Sequence, residues 1–217
     1  MKVDLRLYAL LDPQRAGGHA LPDLARRVVD GGATLLQLRD KLGSIREMIG
    51  RARAIKEALA GTGVPLLVND RVDVALAAGA DGVHVGQDDM RPADARALLG
   101  PHAIVGLSVK TVAQAETAPL DLLDYVCIGG VFATASKDNT SAPIGIDGLR
   151  SIVAALRARS ADFPTGAIAG IDSTNAADVV AAGVDGVAVI SALSITADPT
   201  AAARNLRALV DRALAER

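Results

Sequence analysis

Three regularities of the amino-acid sequence predict an α/β fold, a single (β/α)8 barrel over residues 1–217. Short apolar runs alternate with longer stretches in which apolar residues recur every three or four positions, a pattern typical of strands separated by amphipathic helices. The runs number eight, which is the count that closes a parallel barrel. Hydrophobic residues make up 50% of the chain but aromatic residues only 2%, which favours the aliphatic core of a parallel sheet covered by helices.

The elements follow from these runs in chain order. The strands are expected at Leu5–Leu11, Thr34–Leu38, Pro65–Val68, Gly82–Val85, Ile104–Leu107, Tyr125–Ile128, Thr165–Ile168 and Gly186–Ile190. Helices fill the intervals, and a last helix from Pro199 to about Ala215 completes the fold. A glycine followed within a few residues by an apolar run recurs at Gly31, Gly79 and Gly183 and predicts a helix end that turns into a strand.

An open doubly wound sheet is the alternative architecture. That fold is expected to carry a glycine-rich phosphate turn after its first strand, whereas this sequence has Leu11-Asp12-Pro13-Gln14-Arg15. Neither a linker nor a low-complexity tract separates a second domain. The longest irregular stretch runs from Gly129 to Gly145.

Composition excludes several classes of function. The net charge is −2, and two Phe, two Tyr and no Trp leave no basic, base-stacking surface for nucleic acid. No apolar run approaches the roughly 18 residues of a membrane helix, and Met1 to Leu11 lacks the pattern of a signal peptide. The single cysteine, Cys127, cannot form an internal disulfide, which predicts a cytoplasmic location.

Polar residues directly after the apolar runs are the candidate functional residues, because barrel enzymes act at the carboxyl ends of their strands. Gln37, Arg39 and Lys41 follow the second run, and strand alternation places Gln37 and Arg39 on one side. Two cationic groups this close suit a phosphate or diphosphate. A solvated basic turn in which Asp40 pairs with the cations is the alternative.

Carboxylates follow the third and fourth runs, at Asp70 and at Asp88-Asp89. Carboxylates at neighbouring strand ends are the arrangement that holds Mg2+, with water and substrate phosphate oxygens at its remaining positions. Capping is the other interpretation, with Asp70 at the helix that begins near Val72 and Asp88 or Asp89 at the turn before Arg91-Pro92. The two roles are compatible.

The remaining strand ends carry small and hydroxyl-bearing residues. Ser108 ends the fifth run, and the long loop after the sixth contains Lys137, so it is predicted to fold over a phosphate, with a flexible insertion as the alternative. Gly170 and Ser191 follow the seventh and eighth runs, where barrel enzymes often bind phosphate through backbone N–H groups. His84 lies inside a strand and is interpreted as structural, like the thiol of Cys127.

Blocks at these positions resemble the thiamine-phosphate synthase family. The matching blocks are Gln37-Leu38-Arg39-Asp40-Lys41, Val68-Asn69-Asp70, Asp81-Gly82-Val83-His84-Val85-Gly86-Gln87-Asp88-Asp89, Gly106-Leu107-Ser108, Gly170-Ile171 and Val189-Ile190-Ser191. They extend from the second strand to the eighth. The resemblance implies a transferase that joins 4-amino-2-methyl-5-hydroxymethylpyrimidine diphosphate to 4-methyl-5-(2-hydroxyethyl)thiazole phosphate, giving thiamine phosphate and diphosphate.

Residue roles are implied by the same resemblance. Asp70 and Asp89 are implied to hold Mg2+ on the diphosphate, which departs first and leaves a pyrimidine-methyl cation for the thiazole nitrogen. The residues implied to bind the substrates are Gln37, Leu38, Arg39, Asp40, Lys41, Asn69, Ser108, Thr134, Ala135, Ser136, Lys137, Gly170, Ile190 and Ser191. The residues implied to be catalytic are Arg39, Lys41, Ser108 and Lys137.

Three departures from the family pattern leave alternatives open. Ala135-Ser136 stands within a block that is often Thr-x-Thr-Lys, Ala169 replaces a usual glycine, and Lys110 stands where many relatives have histidine. The thiazole tautomerases of the same superfamily, which look to rely on that histidine, are the alternative function. A regulatory barrel without turnover and another phosphosugar isomerase are further hypotheses. Small molecules are the expected partners, and a homo-oligomer is compatible with the sequence.

Overall fold

The structure, a computed structural model, describes residues 3–134 and 142–217. In this part of the chain eight parallel strands pair in sequence order, and β1 also pairs with β8, so the sheet closes into a TIM barrel as predicted. The strands are β1 Leu7–Leu11, β2 Leu35–Leu38, β3 Leu66–Asn69, β4 Gly82–Val85, β5 Ile104–Val109, β6 Tyr125–Ile128, β7 Thr165–Ile168 and β8 Gly186–Val189. Observed and expected strand ends differ by at most two residues.

Helices lie between the strands along the chain. They are α1 Leu21–Asp30, α2 Ile45–Ala58, α3 Val72–Ala78, α4 Pro92–Leu99, α5 Val112–Thr117, α6 Gly145–Arg159, α7 Ala176–Ala181, α8 Ser191–Ser194 and α9 Pro199–Ala215. Two of the three predicted glycine turns are present as expected, since Gly79 and Gly183 have φ values of 66° and 113° after α3 and α7. After α1, Gly31 has a φ of −84°, and Gly32, with a φ of 105°, makes the turn instead. Within the described residues, no helix combines the length and apolarity that crossing a bilayer requires.

Strand side chains alternate between two hydrophobic cores, one outside the barrel wall and one inside it. The outer core joins Leu7, Ala9 and Leu11 of β1 to helix residues such as Leu24 and Val28. The inner core is smaller, and its buried members are Leu5, Tyr8, Leu10, Leu35, Leu67, Tyr125, Cys127, Ala188 and Ile190. Polar residues that share the inward face therefore point into the barrel.

One polar residue before every second strand joins two strands at the amino-terminal end of the barrel. These residues are Thr34, Asp81, Asp124 and Asp185, which precede β2, β4, β6 and β8. Each side chain accepts a backbone N–H at the start of the preceding strand, at distances of 2.8 to 3.1 Å. The three carboxylates also pair with a cation, as Asp185 does with Arg157 at 2.8 Å. Side chains thus fasten the strands to one another at the amino-terminal end of the barrel. The functional residues are expected at the opposite, carboxyl-terminal end.

Asp185→Ala is expected to lower the free energy of unfolding by about 2 kcal/mol, because it removes the acceptor of the Thr165 N–H and the counter-charge of Arg157. Denaturant unfolding measures the change. Asp147→Ala is the control, since the Asp147 side chain is 97% exposed and its ion pair in the described part of the chain is with Arg150. Its effect should stay within about 0.5 kcal/mol, and equal losses in the two variants would contradict the fastening role.

Candidate active site

The carboxyl ends of the strands surround a cavity of about 590 Å³. Arg39 after β2 and Ser191 after β8, which the sequence places on one mouth, both line it. The other sequence-predicted site residues that line it are Gln37, Asn69, Ser108, Thr134, Gly170 and Ile190. A second cavity of about 420 Å³ adjoins the β6 side and shares Lys110 and Thr134 with the first.

Arg39 is held at the mouth by a carboxylate that the sequence analysis did not single out. Its guanidinium forms an ion pair with Asp12, which directly follows β1, and the two side chains are only 14% and 4% exposed. Asp12 also accepts the backbone N–H of Gln14 at 2.9 Å, so its own position is fixed. The nearly buried Asp12 carboxylate thus holds the Arg39 guanidinium in position before a ligand binds.

Leu38 and Asp40 point away from the cavity. Leu38 is buried in the outer core, as strand alternation requires for a residue between Gln37 and Arg39. Asp40 is buried as well, and its carboxylate pairs with Arg51 of α2 and accepts the backbone N–H of Gly43 at 2.8 Å. Asp40 is therefore not the partner of the mouth cations, and the solvated basic turn is wrong. Substrate binding by Leu38 and Asp40 stays a prediction. Because their side chains point away from the cavity, such binding would involve their main-chain N–H and C=O groups.

Two carboxylates and an ammonium meet at the rim between β2 and β4. Lys41 pairs with Asp70, and the Asp70 N–H donates to the His84 carbonyl oxygen at 2.8 Å. The Asp89 carboxylate accepts the Gly86 N–H at 2.8 Å and also contacts Asp70. Although Asp89 as a residue is exposed, partial burial of its carboxylate and the neighbouring Asp70 raise its pKa.

The capping interpretation of these aspartates is only partly correct. The residue before α3 is Arg71, and no side chain caps that helix, so Asp70 is not its cap. Asp70 instead has a φ of 61°, an uncommon conformation for a residue other than glycine. Asp89 does close the turn through Gly86, but α4 likewise has no side-chain cap. In the described residues no group of three or more metal-binding side chains occurs, so this pair is the carboxylate site to consider.

A line of buried polar side chains forms the floor of the cavity. Gln37 donates through Nε2 to the Tyr8 hydroxyl, which lies 2.8 Å from the Tyr125 hydroxyl. His84 lies 2.8 Å from Tyr125 through Nδ1 and 2.8 Å from the Ser108 hydroxyl through Nε2. His84 is therefore satisfied, as predicted. Desolvation raises the pKa of the neighbouring Cys127 thiol to about 12, consistent with an unreactive core thiol.

The loop after β7 shows why small residues are needed there. Ala169 has a φ of 92°, a conformation that glycine adopts more readily than alanine, in agreement with the glycine that the resemblance leads us to expect at this position. A Cβ at Gly170 would lie 2.5 Å from the carbonyl oxygen of Ala133, so the missing side chain accommodates the loop after β6. The sequence predicts that a ligand comes close to the Gly170 backbone, but in the structure the loop after β6 is the group that lies close to it. Gly170 still lines the cavity beside Ser191, the first residue of α8.

The predicted phosphate loop after β6 is described as far as Thr134. Ala135, Ser136 and Lys137 lie outside the described residues, so their assignments stay predictions. Lys110, the departure in the fifth loop, lines both cavities.

The residues that the sequence analysis missed have detectable signals. Asp12 directly follows an apolar run, as the other candidates do, so the same strand-end rule indicates it. Tyr8 and Tyr125 are the only tyrosines in the chain. Both lie on inward-facing strand positions, which alternation from Leu10 and Cys127 would have indicated.

Comparison with known proteins gives one consistent result. The family model described as thiamine monophosphate synthase matches residues 7–193. A thiamine-phosphate synthase of Agrobacterium fabrum is 55% identical over 216 residues, covering 100% of this chain and 98% of the relative. One of Chloroflexus aurantiacus is 48% identical over 208 residues, covering 96% and 94%. A solved structure, thiamine phosphate pyrophosphorylase from Pyrococcus furiosus, aligns with a TM-score of 0.84 at 36% identity and covers 98% of both chains.

Asp89→Asn is expected to raise the melting temperature of the metal-free protein at pH 7. The pKa of Asp89 is higher in the folded protein than in the unfolded chain, so the negative charge of Asp89 destabilises the folded state. This penalty is absent below pH 3.8, the ordinary pKa of the group, and it is complete once the pH exceeds the pKa of the folded protein. The gain should therefore shrink as pH falls from 7 towards 4 in thermal scans. Asp88→Asn removes a like charge from the same exposed turn, and equal melting temperatures for both variants at pH 7 would contradict this account.

Proposed function

The chain belongs to the thiamine monophosphate synthase family, and from this premise we propose which residues at the barrel mouth bind each of the two phosphorylated substrates. The activity is that of a transferase of thiamine biosynthesis: a pyrimidine diphosphate and a thiazole phosphate yield thiamine phosphate and diphosphate. The tautomerase alternative is not favoured, since the relatives carry the synthase name. The proposal concerns which residues act, and how.

We propose that Asp70 and Asp89 hold Mg2+ on the diphosphate. Their side chains are in contact, and among the described residues Lys41 is the one cation paired with them, which leaves the pair suited to a further positive charge. Two carboxylates are what Mg2+ takes from a protein when phosphate oxygens and water complete its shell. When bound, Mg2+ would neutralise charge that gathers on the departing diphosphate.

Arg39 and Lys41 would bind the same diphosphate from the β2 side. Arg39 is paired with Asp12 and Lys41 with Asp70, so both cations are held in place before the diphosphate binds. The bound diphosphate would interact with the same two cations. Asn69, which ends β3 and lines the cavity, would add an amide donor. The pyrimidine would then lie over the cavity floor, near Gln37 and Ser108.

The thiazole phosphate would occupy the opposite side, at the ends of β7 and β8. Gly170, Ile190 and Ser191 line that side, and Ser191 begins the short helix α8, whose first N–H groups have no partner within the helix. Thr134 lines both cavities and supports a role for the β6 loop at the same phosphate. The roles of Ala135, Ser136 and Lys137 in this loop remain part of the proposal.

The reaction needs no protein nucleophile. The bond between the pyrimidine methylene carbon and the diphosphate oxygen breaks, and its electron pair leaves with the diphosphate. The thiazole nitrogen then donates its lone pair to that carbon, so atoms and charge balance without a further reactant. What the protein supplies is electrostatic stabilisation of the leaving group and the placement of the two reactants.

One observation carries this proposal: Asn69, which directly precedes Asp70, and Arg39, two residues before Lys41, line the same cavity as Gly170 and Ser191. The Lys41, Asp70 and Asp89 cluster itself lies beyond the residues that line this cavity. A cytoplasmic location is also proposed, because the single cysteine is buried and free. A homo-oligomer also stays a prediction.

Asp70→Asn is expected to lower kcat/KM by about a hundredfold or more while leaving the fold intact, because one of the two metal-binding carboxylates loses its charge. Product formation from the two substrates is measured across a Mg2+ titration, with circular dichroism as the fold check. Asp73→Asn is the matched control, since Asp73 lies three residues away on the exposed side and pairs with Arg71. An unchanged rate and an unchanged Mg2+ dependence in Asp70→Asn would remove the metal assignment.

A further inference from the structure

Five buried or half-buried side chains from five different strands form one continuous hydrogen-bonded chain across the barrel. In order they are Gln37, Tyr8, Tyr125, His84 and Ser108. Gln37, Tyr8 and Tyr125 are at most 2% exposed, and His84 is 7% exposed. Only the two ends, Gln37 and Ser108, are residues that the proposed function assigns to the substrate.

If each hydroxyl in the chain accepts one hydrogen bond and donates one, the direction of every hydrogen bond follows from the first donor. Because Gln37 donates through Nε2, the Tyr8 oxygen accepts, and the Tyr8 proton is left to donate to Tyr125. The Tyr125 proton then goes to His84 Nδ1, so a neutral His84 carries its proton on Nε2 and donates it to Ser108. The Ser108 proton is the one left over, free to donate to a ligand.

The other end of the chain has the opposite character. Gln37 Oε1 is buried and is the single buried side-chain nitrogen or oxygen atom in the described residues that has no hydrogen-bond partner. Gln37 lines the cavity, so this acceptor is available to a donor there. An unsatisfied buried carbonyl costs about 1–3 kcal/mol, which a ligand N–H group would recover.

We propose that this chain fixes the polarity of both its ends, so that Gln37 presents an acceptor and Ser108 presents a donor to the substrate. The inference rests on the proposed function, which places the aminopyrimidine over these two residues. Its exocyclic amino group supplies the donor that Gln37 Oε1 lacks, and a diphosphate or ring-nitrogen acceptor of the same substrate receives the Ser108 proton. Tyr8, Tyr125 and His84 are then positioning residues that determine which substrate is accepted.

Tyr125 is the central member of the chain. Its side chain is fully buried, it does not line the cavity, and its hydroxyl contacts both Tyr8 and His84. A Cβ at Gly106 would lie 2.1 Å from the Tyr125 ring, so the neighbouring strand leaves space for this ring. Burial also raises the pKa of Tyr8 and Tyr125, so both hydroxyls keep their protons at neutral pH.

The first test is the tautomer of His84 in the substrate-free wild-type protein, read from the 15N NMR shifts of its ring nitrogens. The proposal requires the proton on Nε2, and a proton on Nδ1 would overturn it. This measurement needs no variant and no turnover. It therefore decides the polarity of the chain even if the wild-type protein formed no thiamine phosphate, a result that would overturn only the proposed function.

The second test is Tyr125→Phe, which keeps the ring and breaks the chain at its centre. We expect the KM for the pyrimidine diphosphate to rise roughly tenfold, the equivalent of one hydrogen bond, with a smaller change in kcat. The preference for this substrate over an analogue with hydrogen in place of the amino group should fall by a similar factor, because Gln37 is no longer held in one orientation. An unchanged preference would contradict the proposal.

Thr165→Val is the matched control for this variant. Thr165 is fully buried and its hydroxyl is hydrogen-bonded to Arg157 at 3.0 Å, but it begins β7 at the end of the barrel remote from the mouth. The control also loses one buried hydroxyl, so it reports the effect of reduced stability alone. It should retain the wild-type preference for the amino group and the wild-type tautomer of His84. A loss of preference equal to that of Tyr125→Phe would assign the effect to stability and overturn the proposal.

Discussion

Closure of the sheet by the pairing of β1 with β8 is the constraint on which the rest of the structure depends. All eight strands run in parallel, so closure brings every carboxyl end to one rim and every amino end to the other. Thr34, Asp81, Asp124 and Asp185 fasten strands to one another at the amino end. Residues that lie far apart in the sequence, such as Arg39 and Ser191, then share one cavity.

Arg39 and Lys41, the two described cations assigned to the diphosphate, are each paired with a carboxylate. Arg39 is held by Asp12 and Lys41 by Asp70, which keeps both side chains in place before a ligand arrives. The charges at Asp70 and Asp89 are not balanced in the same way, because two carboxylates lie beside the single ammonium of Lys41. A site that is acidic at one point and cationic beside it suits a metal–diphosphate complex better than either ion alone.

The sequence predicts the architecture and much of the rim because both depend on local patterns. Alternation along β2 is enough to place Gln37 and Arg39 inward, and the end of β3 is enough to place Asn69 at the cavity. Side-chain partners depend on the tertiary fold instead: Asp40 turns to Arg51 of α2, and Gly170 makes room for Ala133 of another loop. The hydrogen-bonded chain through Tyr125 involves five strands, so no local pattern indicates it.

The most direct test of the central claim, that one mouth holds both substrates with the metal between the carboxylates and the diphosphate, is a crystal structure with three ligands. These are Mg2+, thiazole phosphate, and a pyrimidine diphosphate analogue in which carbon replaces the oxygen of the scissile bond. We expect the metal about 2.1 Å from oxygens of Asp70 and Asp89, and the thiazole phosphate at Gly170 and Ser191. A metal away from both aspartates, or the two organic ligands on separate faces of the barrel, would contradict the account.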